Sequence, residues 1–137
     1  MNHKVLFSIF AVLMFALMCV SCSLLPGQGF TYDPSKNYAT FLVIDNDTGR
    51  NSLAIMKQRS IAEGWEIGPI EYYKPGTKDF APILEKLTAS KQVMVVWIIS
   101  LVWDIPDIKK GMEGLDYTGP FRYVPISEEA GAIKIQQ

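Results

Sequence analysis

Apolar positions along the chain fall into two patterns, short continuous runs and runs with helical spacing. Residues 93–99 are seven consecutive apolar positions, rich in β-branched side chains, and predict a strand buried on both faces of a parallel sheet, with Trp97 in the core. The four apolar residues before it that share the spacing of one helical face are Phe80, Ile83, Leu84 and Leu87. Pro82 suits the first turn of that helix. The stretch 61–100 therefore predicts one βαβ unit.

The same two patterns predict the remaining elements. Three further strands are predicted, at residues 39–44, 66–73 and 121–126. A helix over 52–64 would point Leu53, Met56 and Ile61 inward, and a short helix is expected from Ile105 to about Leu115. Pro69 favours an edge position for the second strand. With right-handed crossovers this order predicts an α/β fold, an open and mostly parallel sheet with helices on both faces and strand order 2-1-3-4.

A set of residues between positions 64 and 96 forms a motif. Its members are Gly64, Glu66, Gly68, Glu71, Tyr72, Gly76, Asp79, Phe80, Pro82, Leu84, Leu87, Ala89, Val95 and Val96. Within it, residues 73–87 read YKPGTKDFAPILEKL, and the stretch resembles the second lobe of type I periplasmic solute-binding proteins, closest to the branched-chain amino-acid (leucine-binding) type. The resemblance covers about residues 37–126. It implies one Rossmann-like lobe over 37–137.

The N-terminus has the pattern of an export signal. After a short positive segment, residues 5–20 are almost unbroken in apolar character, which predicts a signal peptide over 1–21 and not a full transmembrane helix. Val20-Ser21-Cys22 resembles the end of a bacterial lipobox and implies lipidation of Cys22, although Cys19 stands where leucine is usual. An uncleaved anchor and ordinary secretion are the alternatives. Residues 22–36 are interpreted as a tether, so we expect a lipid-anchored protein of the periplasm or cell envelope.

Charge and residue types narrow the function classes. The 13 basic and 14 acidic side chains give a net charge of −1, which does not favour a nucleic-acid partner. The single histidine is His3, inside the leader, so the rest of the chain has neither a Ser-His or Cys-His triad nor an imidazole metal ligand. It also contains neither a P-loop nor a GxGxxG after the first strand. We therefore expect no cofactor and no metal.

One enzyme hypothesis remains for comparison. Residues 41–47 end in Asp45-Asn46-Asp47 and superficially resemble the first motif of haloacid-dehalogenase-type phosphohydrolases, in which the two aspartates act as nucleophile and acid/base. Here the order of the following glycine and threonine is reversed, and no later acidic pair after a strand supplies the metal site. Asp and Asn also favour turns, so the pattern arises readily without catalysis. A non-enzymatic protein is expected.

Candidate ligand contacts lie after the strands, because parallel sheets bind ligands at the carboxyl ends of their strands. The resemblance implies contacts from Asp47 and Thr48 after the first strand, with Thr48 where some relatives have tyrosine. It also implies contacts from Ser100 and Trp103 after the third strand. Trp103 has packing under the next helix as its alternative. Glu128, after the fourth strand, would pair with an amino group or lie in a solvated tail.

The resemblance implies a lipid-anchored substrate-binding protein of an ABC-type importer for amino acids or similar small solutes. Such a protein would need a permease, and this chain would also need a second lobe from a partner chain or a second copy. Two alternatives stay open. One is a non-catalytic envelope interaction module that retains the lobe as a scaffold, and the other is a gene fragment without function.

Overall fold

A computed structural model of the chain describes residues 29–127 and shows strands and helices in strict alternation. The elements are β1 (Tyr38–Ile44), α1 (Asp47–Ala62), β2 (Glu66–Tyr73), α2 (Ala81–Leu87), β3 (Val93–Leu101), a 3-10 turn (Val102–Asp104), α3 (Ile105–Met112) and β4 (Phe121–Ile126). All strand pairs are parallel, in the order β2-β1-β3-β4. The predicted α/β fold and strand order are confirmed.

The helices cover both faces of the sheet. The Trp97 indole N–H donates to Ser60 Oγ of α1 at 3.0 Å, so Trp97 faces α1. Phe41 pairs with Trp97 across the sheet, and its neighbour Thr40 points the opposite way, where its hydroxyl donates to the Leu87 carbonyl of α2 at 3.1 Å. Helix α3 packs against the start of α2 on that second face. The central strands β1 and β3 are therefore sandwiched between two helical layers.

Helix α1 begins at Asp47, whereas the sequence predicted its start at residue 52. Asn46 is the N-cap, and its side-chain oxygen accepts a hydrogen bond from the Gly49 N–H at 2.7 Å. Gly49 lies so close to the end of β1 that a Cβ placed there would approach the Ile44 carbonyl oxygen to 2.2 Å. The segment predicted to be a loop is thus a capped first turn.

The inward face of α1 also differs from the prediction at one position. Leu53 and Met56 are buried as predicted, but Ile61 is 61% exposed, so its inward assignment was wrong. Ser60 is buried in its place because its hydroxyl donates to the Met56 carbonyl at 2.9 Å while accepting the Trp97 indole N–H. A small polar side chain here leaves room for the large indole.

The residues that precede β1 contact the domain. Tyr32 packs against the core, and its ring meets that of Tyr38 edge to face with centroids 5.1 Å apart. Gln92 donates to the Asp33 carbonyl at 2.7 Å. The predicted signal peptide and Cys22 lie outside the described residues. Among the helices of residues 29–127, none has the length and apolar character needed to cross a membrane.

Candidate functional site

The carboxyl ends of the four strands meet at one edge of the sheet. We call the last residues of the strands and the residues that follow them the carboxyl edge, comprising residues 45–50, 73–78, 100–104 and 126–127. The Asp45 N–H donates to the Tyr73 carbonyl at 2.8 Å, which joins the ends of β1 and β2. Ligands of open parallel sheets bind outside this edge, so its side chains define the candidate site.

The segment after β1 contributes a charged cluster on the α1 side. Arg50 pairs with the Asp45 carboxylate and lies 3.5 Å from an Asp47 carboxylate oxygen, and its guanidinium is 6.0 Å from the centre of the Tyr72 ring. The Asp47 side chain is fully exposed, and Thr48 is half-buried. Exposed ion pairs contribute at most about 1 kcal/mol, so these groups can exchange partners at little cost.

The segment after β3 contributes a buried polar pair that the sequence did not predict. The Tyr73 hydroxyl donates to Asp104 Oδ2 at 2.8 Å, and both side chains are buried. Burial first, and then the bond to Asp104, raises the pKa of Tyr73 far above its usual value. The pair connects the end of β2 to the turn after β3, across β1. The only sequence signal was a polar residue shortly after a long apolar run.

Ser100 and Trp103 differ sharply in their surroundings. Ser100 is buried near the end of β3, and its hydroxyl has no hydrogen-bond partner in the part of the chain that the structure describes. Trp103 is 55% exposed and its neighbour Val102 is also exposed, although Leu101 and Asp104 on either side are buried. The exposed indole is not packed under the following helix, which was the alternative for this residue.

The predicted contacts are divided between the two sides of the sheet. Asp47 and Thr48 belong to the first turn of α1. Thr40 and its strand partner Val96 face the side of the sheet that α2 and α3 cover. Ser100 lies an even number of residues from Val96 along β3, so its side chain points to that same side. A ligand contacting both sets would have to span the rim of the sheet. Glu128 lies outside the described residues.

The polar side chains at this edge are carboxylates, hydroxyls, the Asn46 amide, the Arg50 guanidinium and the ammonium groups of Lys74 and Lys78. Within residues 29–127, no group of three or more histidine, cysteine, aspartate or glutamate side chains is placed to hold a metal ion. Asp45 and Asp47, the pair in the phosphohydrolase-like pattern, both lie against Arg50. The arrangement suits binding of a small polar solute through hydrogen bonds and charge. No family model and no curated protein matches the chain.

Proposed function

We propose that the protein acts by binding and not by catalysis, as the solute-binding lobe of an ABC-type importer for amino acids or similar small solutes. In this proposal the chain is exported and held at the membrane by lipid on Cys22, and it works with a permease and a second lobe. The observation that carries the proposal is the exposed Trp103 at the carboxyl edge of a sheet with order 2-1-3-4. Large exposed aromatic side chains at such an edge are typical of ligand contacts.

The chemistry of the edge supports a solute that carries both charges and an apolar part. Asp47 offers an exposed carboxylate to an ammonium group, and Arg50 offers a guanidinium to a carboxylate. Trp103 and Val102 together offer an apolar surface. One lobe leaves much of such a solute in water, whereas tight sites bury about 70–90% of a ligand, so the proposal requires a second lobe.

The test is a thermal-unfolding screen of the full chain in detergent micelles against amino acids, amides and small carboxylates. A solute at 100 times its Kd stabilises the folded state by about 2.7 kcal/mol, which for a domain of this size raises the Tm by roughly 10 °C. Trp103→Ala should abolish the shift. Phe30→Ala is the matched control, because Phe30 is another exposed aromatic but precedes β1 at the opposite end of the sheet. Loss of the shift in both variants, or in neither, would contradict the assignment.

A second candidate is a non-catalytic envelope interaction module that keeps the lobe as a scaffold. It is favoured by the apolar surface of Val102 and Trp103, which a protein partner would also cover. A cooperative unfolding transition that no solute moves would favour this candidate. The absence of any cooperative transition would favour the third possibility, a gene fragment.

A further inference from the structure

A groove of about 940 Å³ follows the outer edge of β4 and reaches the carboxyl edge at Val102. In the sheet formed by residues 29–127, β4 pairs with β3 on one side and with no strand on the other. The groove is lined from both faces of the sheet. Trp97 and its strand partner Arg122 lie on the α1 side, whereas Tyr123 lies on the opposite side with Lys109 of α3, whose ammonium is 5.8 Å from the tyrosine ring centre.

The shape of this groove favours an extended peptide segment over a small solute. A small solute on one face of the sheet would contact the lining residues of that face alone. A chain lying along the edge in extended conformation sends successive side chains to alternate faces, so it contacts both sets at once. Addition of such a chain to an exposed strand edge is a common mode of peptide recognition.

Within residues 29–127, the backbone groups on the outer side of β4 pair with no other strand. The Val96 N–H donates to the Pro120 carbonyl at 3.1 Å, and the register aligns Val96 with Phe121. In a parallel ladder the backbone groups of alternate residues point to the same side, so those of Phe121 and Tyr123 point outward. Pro125 has no N–H and ends the run of outward donors. The free edge therefore provides two N–H groups.

Charge determines the chemistry of the occupant. The Arg122 guanidinium lies between two indoles, 5.1 Å from the ring centre of Trp65 and 5.2 Å from that of Trp97. Arg122 and Arg59 share one carboxylate, Glu63, at 2.8 and 3.1 Å, so two cations face one anion on the α1 side. Lys109 adds a further cation on the opposite side. A second copy of the chain would bring the same positive charges to the edge, and like charges disfavour that pairing.

We propose that the outer edge of β4 binds an extended acidic segment of a partner protein, which adds a fifth strand to the sheet. This inference is independent of solute binding at the carboxyl edge. Acidic side chains on one face of the added strand meet Arg122 and Arg59, and those on the other face meet Lys109. Its apolar side chains cover the half-buried Phe121.

The first test uses the full chain in detergent micelles and a fluorescein-labelled eight-residue peptide that repeats Glu-Glu-Val-Val, so that each face of the extended peptide carries both glutamate and valine. Binding is measured by fluorescence anisotropy. The glutamate peptide should bind, more weakly as salt rises, and a peptide with lysine in place of glutamate should not. A further peptide has the same side chains but carries N-methyl groups on all its amides. It has no backbone N–H groups to donate to β4, so it should lose binding.

The second test uses variants of the protein. Lys109→Gln should weaken the glutamate peptide about two- to fivefold, and Arg122→Gln about fivefold or more, because both charges are partly exposed. Lys91→Gln is the matched control, an exposed lysine in the loop before β3, and should change nothing. If Arg122→Gln lowers the Tm strongly, its effect on binding is not used, and the comparison of Lys109→Gln with Lys91→Gln tests the proposal.

Several results would overturn the proposal. These are no binding of the glutamate peptide at millimolar concentration, equal binding of the lysine peptide, equal binding of the methylated peptide, and equal effects of Lys109→Gln and Lys91→Gln. Sedimentation of the protein alone supplies a further outcome. A dimer that Arg122→Gln disrupts, and that the glutamate peptide does not dissociate, would assign the edge to a second copy of the chain.

Discussion

Removal of the Tyr73 hydroxyl tests the buried bond that joins β2 to the turn after β3. Tyr73 is 2% exposed and Asp104 is 3% exposed, and 2.8 Å separates their oxygens. In Tyr73→Phe the ring can still pack on Phe80, with ring centres 5.0 Å apart, so the change is confined to the hydrogen bond. A hydrogen bond to a charged group contributes about 1.5–3 kcal/mol, and Asp104 would also lose a partner while buried. We expect a loss of about 2 kcal/mol and a fall in Tm of roughly 10 °C.

The measurement is urea unfolding followed by tryptophan fluorescence. Tyr72→Phe is the matched control, because Tyr72 is the adjacent residue of the same strand but is 46% exposed, and its loss should stay within about 0.5 kcal/mol. Asp104→Asn and the double variant complete a cycle, in which the two single losses should add to more than the loss in the double variant. Equal stability of Tyr73→Phe and the wild type, or equal losses at positions 72 and 73, would refute the reasoning.

Two further predictions concern packing and pH. Gly49→Ala should lower the free energy of unfolding by about 3 kcal/mol or prevent folding, because the new methyl group would clash with the Ile44 carbonyl oxygen, whose position is fixed by the backbone. An unchanged midpoint of urea unfolding would contradict this. The pKa of Tyr73 is raised above the value of 10.0 expected in the unfolded chain, so the folded state holds the phenolic proton more tightly. The stability that Tyr73 contributes is therefore fully present below pH 10, and it falls as the pH rises above 10. Unfolding measured between about pH 9 and pH 11 should show this fall in the wild type and a less steep fall in Tyr73→Phe.

The strands could be predicted because the apolar residues that each strand buries lie close together in the sequence. β2 and β4 have the predicted bounds, and β3 contains the whole apolar run of residues 93–99. A parallel strand between two helical layers needs apolar side chains on both faces, and few other elements contain a run of seven consecutive apolar residues. Pro69 marked β2 as an edge strand, and this placement is confirmed.

The start of α1 could not be predicted because the same residue types serve two structures. Asp, Asn, Thr and Gly are favoured in turns, and Asp, Asn and Thr are also favoured at helix N-caps. In the structure Asn46 caps the helix, and Gly49 allows the first turn to lie close to the end of β1. Ser60 was missed for a related reason, because its burial depends on the Trp97 indole, which is distant in sequence.

The sequence pointed to the carboxyl ends of the strands as the candidate site, but it did not predict the contacts between side chains at this edge. Tyr73 and Asp104 are 31 residues apart, and only the strand order brings their side chains together. Their bond has a consequence for Trp103, which precedes Asp104 in the 3-10 turn. Because Leu101 is buried on one side and Asp104 is held by Tyr73 on the other, the turn has little freedom to fold the indole back onto the sheet. The buried contacts on either side thus hold the backbone of the turn in the conformation in which Trp103 is exposed, and the proposed binding of a solute or partner requires that exposure.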